Sequence, residues 1–198
     1  MKNEKTHQKS LGSLRIISGK WKRSKIDFIV REGLRPTGDR LRVTLFNWLA
    51  QEIRGAFVLD LFAGSGILGM ECLSRDAREV VFVEKDPLVI KQIQNHLTRL
   101  KAEDYQVLNA DVFHLLKSPP PAWLGQLNLV FLDPPFHQGW ITEVCALLES
   151  SQILAPNALI YIKIEITHRF FEQPKHWLIL KEMKTEQTQC FLYRRQSP

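Results

Sequence analysis

The sequence has few of the features that mark secreted, membrane or metal-binding proteins. Its three cysteines, Cys72, Cys145 and Cys190, lie far apart and form no CxxC pair, which argues against a disulfide framework or a zinc site. No apolar run approaches the roughly 18 residues that a membrane-spanning helix needs. Residues 1–10 are polar and basic and lack the apolar centre of a secretory signal. We therefore expect a cytoplasmic protein with reduced thiols.

Internal repeats, low-complexity segments and a large second domain are also lacking. The 198 residues fit one domain with a small appendage. The histidines at 114, 137 and 168 have none of the spacings typical of metal ligands, so we expect no metal. No apolar surface stripe indicates an obligate partner, and we expect a monomer.

Positive charge is present, and it is distributed unevenly. Residues 1–42 carry 12 Lys and Arg against 4 Asp and Glu, whereas the remaining residues carry 15 against 17. A local excess of this kind suits a polyanion such as RNA or DNA, because each cation placed against a phosphate releases condensed counterions. A basic face that only aids solubility explains the same counts, and both interpretations stay open at this point.

From residue 57 onward, continuous apolar segments alternate with helical patterns. The predicted strands are Phe57–Phe62, Glu79–Val83, Tyr105–Asn109, Leu127–Leu132, Ala158–Ile164, Trp177–Leu180 and Gln189–Tyr193. The predicted helices between them are Ile67–Ser74, Pro87–Leu100, Val112–Lys117 and Trp140–Ser150. This alternation predicts an α/β fold with a doubly wound, mostly parallel, seven-stranded Rossmann-like sheet covered on both faces. Such sheets bind ligands beyond the carboxyl ends of their strands.

A shorter, basic segment precedes the predicted sheet. Apolar and basic residues alternate from Leu14 to Val30 around Gly19, which predicts a small β-ribbon. A loop over residues 33–38 and a helix over Arg40–Ile53 follow. We expect three parts: a flexible tail at 1–12, a basic ribbon and helix at 13–54 that faces a nucleic acid, and the Rossmann-like domain at 55–198.

The glycine loop after the first strand of the sheet is the strongest local motif. It comprises Asp60-Leu61-Phe62-Ala63-Gly64-Ser65-Gly66 and leads into a helix whose first N–H groups are free to face a ligand. A GxG pattern also occurs in dinucleotide sites. Asp60, however, would repel a pyrophosphate, whereas it would attract a cationic sulfonium or an amino group.

Acidic residues also follow the next two strands. Glu84 can accept both hydrogens of a ribose diol, although dinucleotide sites use the same device. Asp111 can accept a hydrogen bond from an adenine amino group, or it can cap the short helix that follows, and the two roles are compatible. Beside the glycine loop, the pair favours a cofactor that contains adenosine.

The tetrapeptide Asp133-Pro134-Pro135-Phe136 follows the fourth strand of the sheet. The prolines are rigid and lack N–H donors, so their carbonyls stay available as acceptors beside the Asp133 carboxylate. Two acceptors that grip an exocyclic NH2 favour a tetrahedral nitrogen whose lone pair points at a methyl donor. Phe136 offers a ring for stacking an unstacked base, and the proton leaves afterwards through Asp133 or to water. An isolated Asp-Pro-Pro turn would need no such role.

With these motifs the chain resembles the RsmD-type 16S ribosomal RNA guanine-N2 methyltransferases of bacteria, within the class I S-adenosylmethionine-dependent methyltransferases. The resemblance extends from about Arg15 to Arg194. Its most specific part is Arg35-Pro36-Thr37-Gly38-Asp39-Arg40-Leu41-Arg42, followed by Leu45-Phe46-Asn47. The DLFAGSG string at 60–66 and the DPPF tetrapeptide at 133–136 complete it.

The resemblance implies a set of functional residues. The cofactor, S-adenosylmethionine, would leave as S-adenosylhomocysteine, and its site would use Asp60, Phe62, Ala63, Gly64, Ser65, Gly66, Glu84, Lys85, Asp111 and Val112. The catalytic residues would be Asp133, Pro134, Pro135 and Phe136. RNA would be bound by Arg15, Lys20, Lys22, Arg23, Arg35, Arg40 and Arg42. The implied substrate is 16S ribosomal RNA in the small subunit or its assembly intermediate.

Alternatives remain for individual residues and for the whole chain. From the residues alone, Arg40 could be a solvated helix residue and Arg42 could pair with a core acid. Trp21 could stack on a base or anchor the ribbon to the core. An adenine-N6 methyltransferase acting on RNA or DNA would use nearly the same tetrapeptide chemistry. An inert RNA-binding assembly factor is the alternative from a different functional class.

Overall fold

A computed structural model of the chain describes residues 11–29, 39–136, 138–167 and 171–196. The predicted tail, except its last two residues, lies outside the described residues, as do Arg35 and the loop around it. In chain order the elements are β1 (Leu11–Arg15), β2 (Lys25–Ile29), α1 (Asp39–Trp48), β3 (Phe57–Asp60), α2 (Ile67–Ser74), β4 (Glu79–Glu84), α3 (Pro87–Arg99), β5 (Tyr105–Asn109), α4 (Val112–Lys117), β6 (Leu127–Leu132), α5 (Ile141–Ser150), β7 (Leu154–Glu165), β8 (Trp177–Lys184) and β9 (Thr188–Arg195).

Seven strands form one twisted sheet in the order β5-β4-β3-β6-β7-β9-β8. The first five strands of this order are parallel, and β9 runs antiparallel to both β7 and β8. The strand order reverses between β3 and β6, so the carboxyl ends of these strands flank the switch point where doubly wound sheets bind ligands. The predicted α/β fold is confirmed.

Each face of the sheet packs against its own helices. One core cluster joins α1, α2, α3 and the ribbon to residues such as Val58, Phe82 and Phe131, whose side chains point to one side of the sheet. The other cluster joins α4 and α5 to Leu59, Val81 and others on the opposite side. Because both faces are covered, the central strands are apolar at nearly every position, as the sequence pattern indicated.

The ribbon and α1 share a core with the sheet. Ile16, Ile26 and Leu45 are at most 1% exposed and belong to the same cluster as the α2 and α3 side chains. Apolar contacts therefore cross the predicted boundary at residue 54, and that division of the chain stays a prediction.

Several element bounds differ from the predicted ones. The helix expected over Arg40–Ile53 ends at Trp48, because the chain then turns through hydrogen bonds from Ala50 to Asn47 and from Glu52 to Leu49. Leu49 and Ile53 are still buried, which produced the longer apolar pattern. The last two strands, β8 and β9, are longer than the predicted Trp177–Leu180 and Gln189–Tyr193. The residues that extend them are mostly polar, so they lack the apolar pattern that marks a strand in the sequence. Among the described residues, no helix is long and apolar enough to cross a membrane.

Candidate active site

The predicted site residues converge at the carboxyl edge of the sheet. The glycine loop follows β3, Glu84 ends β4, Asp111 follows β5 and Asp133 follows β6. They border a cleft of about 420 Å³, whose lining includes Phe62, Gly64, Glu84, Lys85, Asp111, Val112, Asp133, Pro135, Phe136 and Trp140. A smaller pocket of about 70 Å³ adjoins it and is bordered by Asp60, Ala63, Ser65, Pro134 and Lys163 among others. The structure thus brings together in space residues that are more than 70 positions apart in the chain.

The glycine loop is held by its own backbone. Ala63 N–H donates to the Val83 carbonyl at 3.0 Å, and Gly66 N–H donates to the Ala63 carbonyl at 2.7 Å. Gly66 adopts a left-handed conformation with φ 72° at the start of α2, where a side chain would be strained. A Cβ on Gly69 would lie 2.2 Å from the Phe82 ring, so this glycine lets α2 approach β4 closely.

Asp60 is a buried carboxylate beneath the loop. It is 2% exposed, and its Oδ2 accepts the Gly69 N–H at 3.2 Å. Burial, opposed by that hydrogen bond and assisted by the carboxylates of Asp133 and Glu84, raises the pKa of Asp60 to about 7. A cation bound beside this carboxylate would favour its ionised form.

Glu84 connects β4 to the glycine loop. Its Oε2 accepts the Gly64 N–H at 3.1 Å, and its Oε1 accepts the N–H groups of Lys85 and Asp86 at 2.8 and 3.0 Å. These bonds fix the carboxylate at the rim of the cleft. Each oxygen retains acceptor capacity for a hydroxyl, because an ionised carboxylate has about four lone-pair sites.

Asp111 caps α4 while it borders the cleft. Its Oδ1 accepts the N–H groups of Phe113 and His114 at 3.0 and 3.1 Å, and His114 Nδ1 lies 3.2 Å away. Burial raises the pKa of Asp111, but the hydrogen bonds from His114 and Phe113 outweigh it and hold the pKa below its usual value. The predicted cap is confirmed. A role toward an adenine stays a prediction.

An aromatic wall closes one side of the cleft. Trp140 stacks near Phe62 at a centroid distance of 6.3 Å and meets Phe113 edge-on at 5.5 Å. Lys85 lies over the same indole at 5.4 Å. Sequence reasoning did not select Trp140, although an indole four residues after the Asp-Pro-Pro-Phe tetrapeptide was a usable signal.

Asp133 is paired with a residue that sequence reasoning missed. Lys163 of β7 donates from Nζ to both carboxylate oxygens of Asp133, at 2.9 Å each. The lysine is 3% exposed, and its Nζ lies 5.5 Å from the centroid of the Phe136 ring. The available signal was a single cation within the apolar run of β7.

One end of the basic ribbon borders the smaller pocket, and the other end lies at the end of α2. Phe28 and Ile29 at one end line the smaller pocket, and Ile29 N–H donates to Gln92 Oε1 of α3 at 3.4 Å. At the other end, Lys20 N–H donates to the carbonyl of Ser74, the last residue of α2, at 2.8 Å. The ribbon therefore runs beside α2 and α3. Its turn lies roughly 15 Å from the smaller pocket, because β2 rises about 3.3 Å per residue between them.

The basic residues of the ribbon are exposed at that distant turn. Lys20, Lys22 and Arg23 are all exposed, and exposed Arg15 donates to the Arg23 carbonyl at 3.1 Å. Trp21 is partly buried against the core and donates its backbone N–H to Ser74 Oγ at 3.0 Å. Of its two predicted roles, the structure favours the anchor.

The structure corrects the predicted phosphate contact of Arg42. The side chain is 0% exposed and donates to Glu71 Oε1 at 2.9 Å and to the Arg15 carbonyl at 3.0 Å. The alternative role, pairing with a core acid, is the observed one, because α1 points this residue at α2. Arg40 is exposed, as either of its alternatives requires. Arg35, His137 and His168 lie outside the described residues.

Comparisons with known proteins agree with this geometry. A family model described as "Conserved hypothetical protein 95" matches residues 14–194. The chain is 42% identical over 185 residues to ribosomal RNA small subunit methyltransferase D of Haemophilus influenzae, covering 92% of this chain and 94% of that protein. It is 40% identical over 196 residues to the Escherichia coli protein of the same name, covering 98% and 96%. A solved structure of the Escherichia coli protein yhhF is similar at a TM-score of 0.84 and 39% identity, covering 94% of this chain and 100% of that one.

Proposed function

Since the chain belongs to the RsmD-type methyltransferase family, we propose that it methylates the exocyclic N2 amine of a guanine in 16S ribosomal RNA, with S-adenosylmethionine as donor. The observation that carries this proposal is the placement of Asp133-Pro134-Pro135-Phe136 where the large cleft and the smaller pocket meet. Acceptors for an amine therefore lie at the point where a methyl donor in the cleft would end.

The cleft suits the donor in size and in the chemistry of its lining. A volume of about 420 Å³ is in the range of cofactor sites. Glu84 would accept the ribose hydroxyls, and Asp111 with Val112 would border the adenine. Asp60, buried and costly to ionise, would face the cationic end of the donor. The remaining proposed contacts lie on the loop and rim, namely Phe62, Ala63, Gly64, Ser65, Gly66 and Lys85.

S-adenosylmethionine, when bound, supplies an electrophilic methyl group on a sulfonium. The protein supplies position and charge. Asp133 and the carbonyl of Pro134 would grip the two hydrogens of the amine, and Phe136 would stack on the base that carries it. After transfer the nitrogen loses one of its protons, which the open cleft can pass to water.

The proposed substrate is the small ribosomal subunit or an assembly intermediate, and the proposed acting form is a monomer in the cytoplasm. Three buried free cysteines support a reducing compartment. The exposed cations at the ribbon turn lie roughly 15 Å from the smaller pocket, so an RNA that binds at the turn and also places a base in that pocket would extend along the ribbon. A folded RNA surface meets that requirement better than a single splayed nucleotide.

The decisive test is methyl transfer from labelled S-adenosylmethionine to small subunits from cells that lack the corresponding gene, followed by nucleoside analysis. We expect labelled N2-methylguanosine in 16S ribosomal RNA. Label in N6-methyladenine would retain the mechanism but move the substrate to adenine. Cofactor binding without label in subunits, naked RNA or DNA would favour the inert assembly factor.

The buried carboxylate predicts opposite effects on stability and cofactor affinity in Asp60→Asn. Because the folded-state pKa of about 7 exceeds the ordinary 3.8, ionised Asp60 destabilises the free protein above pH 7, and the cost shrinks as pH falls toward 3.8. Asn cannot ionise, so the variant should be more stable at pH 8.5 by about 1–4 kcal/mol. Its affinity for S-adenosylmethionine should nevertheless fall at least about tenfold, since a charge-assisted contact is lost.

Urea denaturation at pH 8.5 and 5.5, with calorimetric titration of the cofactor, checks both effects. Asp104→Asn, the same change at an exposed position, is the matched control and should alter neither. A variant that is less stable than the parent at pH 8.5, or that binds the cofactor equally well, would contradict the assigned role.

The basic turn is tested by its salt dependence. Replacing Lys20, Lys22 and Arg23 together with Gln should flatten the plot of log affinity for the small subunit against log salt by a slope of about 2–3. Catalysis on saturating substrate should change little, because the turn lies far from the cleft. Filter binding from 50 to 200 mM salt measures the slope, with Lys101, Lys117 and Lys181 changed to Gln as a control of equal charge. Equal slopes for the triple variant and the parent would remove the turn from the RNA footprint.

A further inference from the structure

The ion pair between Lys163 and Asp133 is unusual for its place in the fold. Lys163 lies in β7 between Ile162 and Ile164, both buried, in a strand that is covered on both faces. A lysine is rarely buried to 3% exposure without a partner, because desolvating an ammonium costs several kcal/mol. Here the partner is Asp133, and both of its oxygens lie 2.9 Å from Nζ.

The register of the sheet sets this pair. Leu132 of β6 lies opposite Ile162 of β7, so Asp133 and Lys163 follow at the same level of adjacent parallel strands. Side chains alternate along a strand, which directs Lys163 to the same face as Tyr161 and Asp133 to the same face as Phe131. Both side chains therefore reach the pocket from one side, and the lysine needs no rearrangement to meet the carboxylate.

The charged surroundings show what the lysine offsets. Asp60 interacts electrostatically with Asp133 across the pocket, and Tyr161 and Cys190 face Asp133 from β7 and β9. Glu165 borders a shallow pocket beside Lys163. Among the described residues that line the 70 Å³ pocket, Lys163 is the only cation. Without it, two carboxylates would face each other in a poorly solvated space.

We propose that Lys163 is a positioning residue that orients the Asp133 carboxylate, so that one of its oxygens accepts a hydrogen of the target amine while the Pro134 carbonyl accepts the other. The inference rests on the proposed function and adds to it separate roles for Asp133 and Lys163. Asp133 grips the amine, and the ammonium withdraws charge from the carboxylate so that it does not retain the amine's proton.

The balance of the reaction follows from this arrangement. The N2–CH3 bond forms as the S–CH3 bond breaks, and the bonding pair stays on sulfur as a neutral thioether. The methylated nitrogen then carries a positive charge and loses one proton to water in the cleft. Neither Asp133 nor Lys163 gains or loses a proton over the cycle.

The kinetic test compares Lys163→Met and Lys163→Arg with the parent over pH 5.5 to 9. In Lys163→Met the carboxylates of Asp60 and Asp133 would face each other across the pocket without a cation between them, so the acid limb of kcat should move to higher pH by about one unit or more. At a pH below both limbs kcat should fall about tenfold for each unit of that movement, whereas KM for S-adenosylmethionine should stay within about threefold. Lys163→Arg retains the cation and should restore the position of the acid limb. Lys181→Met, on the exposed strand β8, is the control.

A second measurement does not depend on turnover. Titration of the Asp133 side-chain carboxyl by ¹³C NMR in the cofactor-free protein should show protonation at higher pH in Lys163→Met than in the parent. This readout decides the Lys163 role even if the parent methylates no ribosomal RNA, so failure of the inference and failure of the proposed function are distinguishable. An unmoved carboxyl titration, or a loss of kcat that is the same at every pH, would overturn the proposal. Should Lys163→Met not fold, Lys163→Gln and Lys163→Arg carry the same comparison.

Discussion

Asp133→Asn is expected to reduce methyl transfer by a factor on the order of 10² to 10⁴, with cofactor affinity nearly unchanged. Loss of one preorganised electrostatic contact to a reacting group lowers kcat by a factor of about 10²–10³. A misoriented amide group would lower kcat further. Asn keeps one acceptor oxygen, but it turns an NH2 group toward either the amine or Lys163. The cofactor contacts of Glu84 and Asp111 lie on other strands and should remain. Single-turnover kinetics and calorimetry separate the two effects.

The same change should also destabilise the fold, which makes a double variant informative. Asp133→Asn leaves the buried ammonium of Lys163 without its counter-charge, and removing one partner of a buried pair costs about 3–5 kcal/mol. Asp133→Asn with Lys163→Met removes both charges and should recover most of that stability. It should recover none of the activity. Stability rescue without activity rescue would show that the rate loss comes from chemistry at Asp133 and not from a damaged fold.

The contrary outcome is equally clear for Asp133. A variant that retains a rate within a few-fold of the parent in single-turnover experiments would remove Asp133 from the amine-gripping role. Asp104→Asn again serves as the control, because it makes the same change at an exposed position far from the cleft.

The elements at the core of the fold could be predicted because their signals are local. The parallel strand Leu127–Leu132 is a short, largely apolar and buried run, and the structure has the predicted bounds for it and for the edge strand Tyr105–Asn109. The order of the motifs along the chain then places the glycine loop, Glu84, Asp111 and the tetrapeptide at one edge, since parallel strands share their carboxyl ends. No tertiary information was needed for that step.

Pairings between distant elements could not be predicted in the same way. Arg42 and Glu71 are 29 positions apart, and the sequence offers many acids to any arginine. Lys163 is 30 positions from Asp133, and only the β6–β7 register brings them together. The position of the ribbon turn depends on where α2 ends, because Ser74 holds it there. Each of these contacts depends on how distant elements pack, which neither the number of charges in a segment nor its hydrophobic periodicity predicts.

The network around Glu71 carries the last prediction, a large loss of stability in Glu71→Ala. Glu71 is 0% exposed on α2 and accepts hydrogen bonds from Arg42 at 2.9 Å, from the Ile17 N–H at 2.7 Å and from Arg75. It therefore joins the ribbon, α1 and α2 at one buried carboxylate. Removal leaves the Arg42 guanidinium buried with too little negative charge near it, which should cost about 3–5 kcal/mol.

Thermal unfolding should show the loss as a drop in Tm of about 6–20 °C, at roughly 2–4 °C per kcal/mol for a domain of this size. Glu103→Ala, at an exposed position, should change the free energy of unfolding by no more than about 0.5 kcal/mol. Glu71→Gln keeps an acceptor for the Ile17 N–H, so the difference between the parent and the Gln variant isolates the charge, and the difference between the Gln and Ala variants isolates the acceptor. A Glu71→Ala midpoint equal to that of the parent would mean that the network contributes nothing measurable.

The effect should reach the active site through the ribbon. Phe28 and Ile29 form part of the wall of the smaller pocket, and Glu71 holds the other end of the ribbon through Ile17. A loosened ribbon should raise KM for the cofactor while kcat at saturation changes less, because Asp133 and Lys163 lie on the sheet itself. Arg42→Met combined with Glu71→Met removes both buried charges and should be more stable than Glu71→Ala. If its stability recovers while its KM stays raised, the hydrogen bond from the Ile17 N–H to Glu71 is what anchors the ribbon at the site. A KM that returns to the parent value would mean that neither this hydrogen bond nor the two charges are needed for cofactor binding.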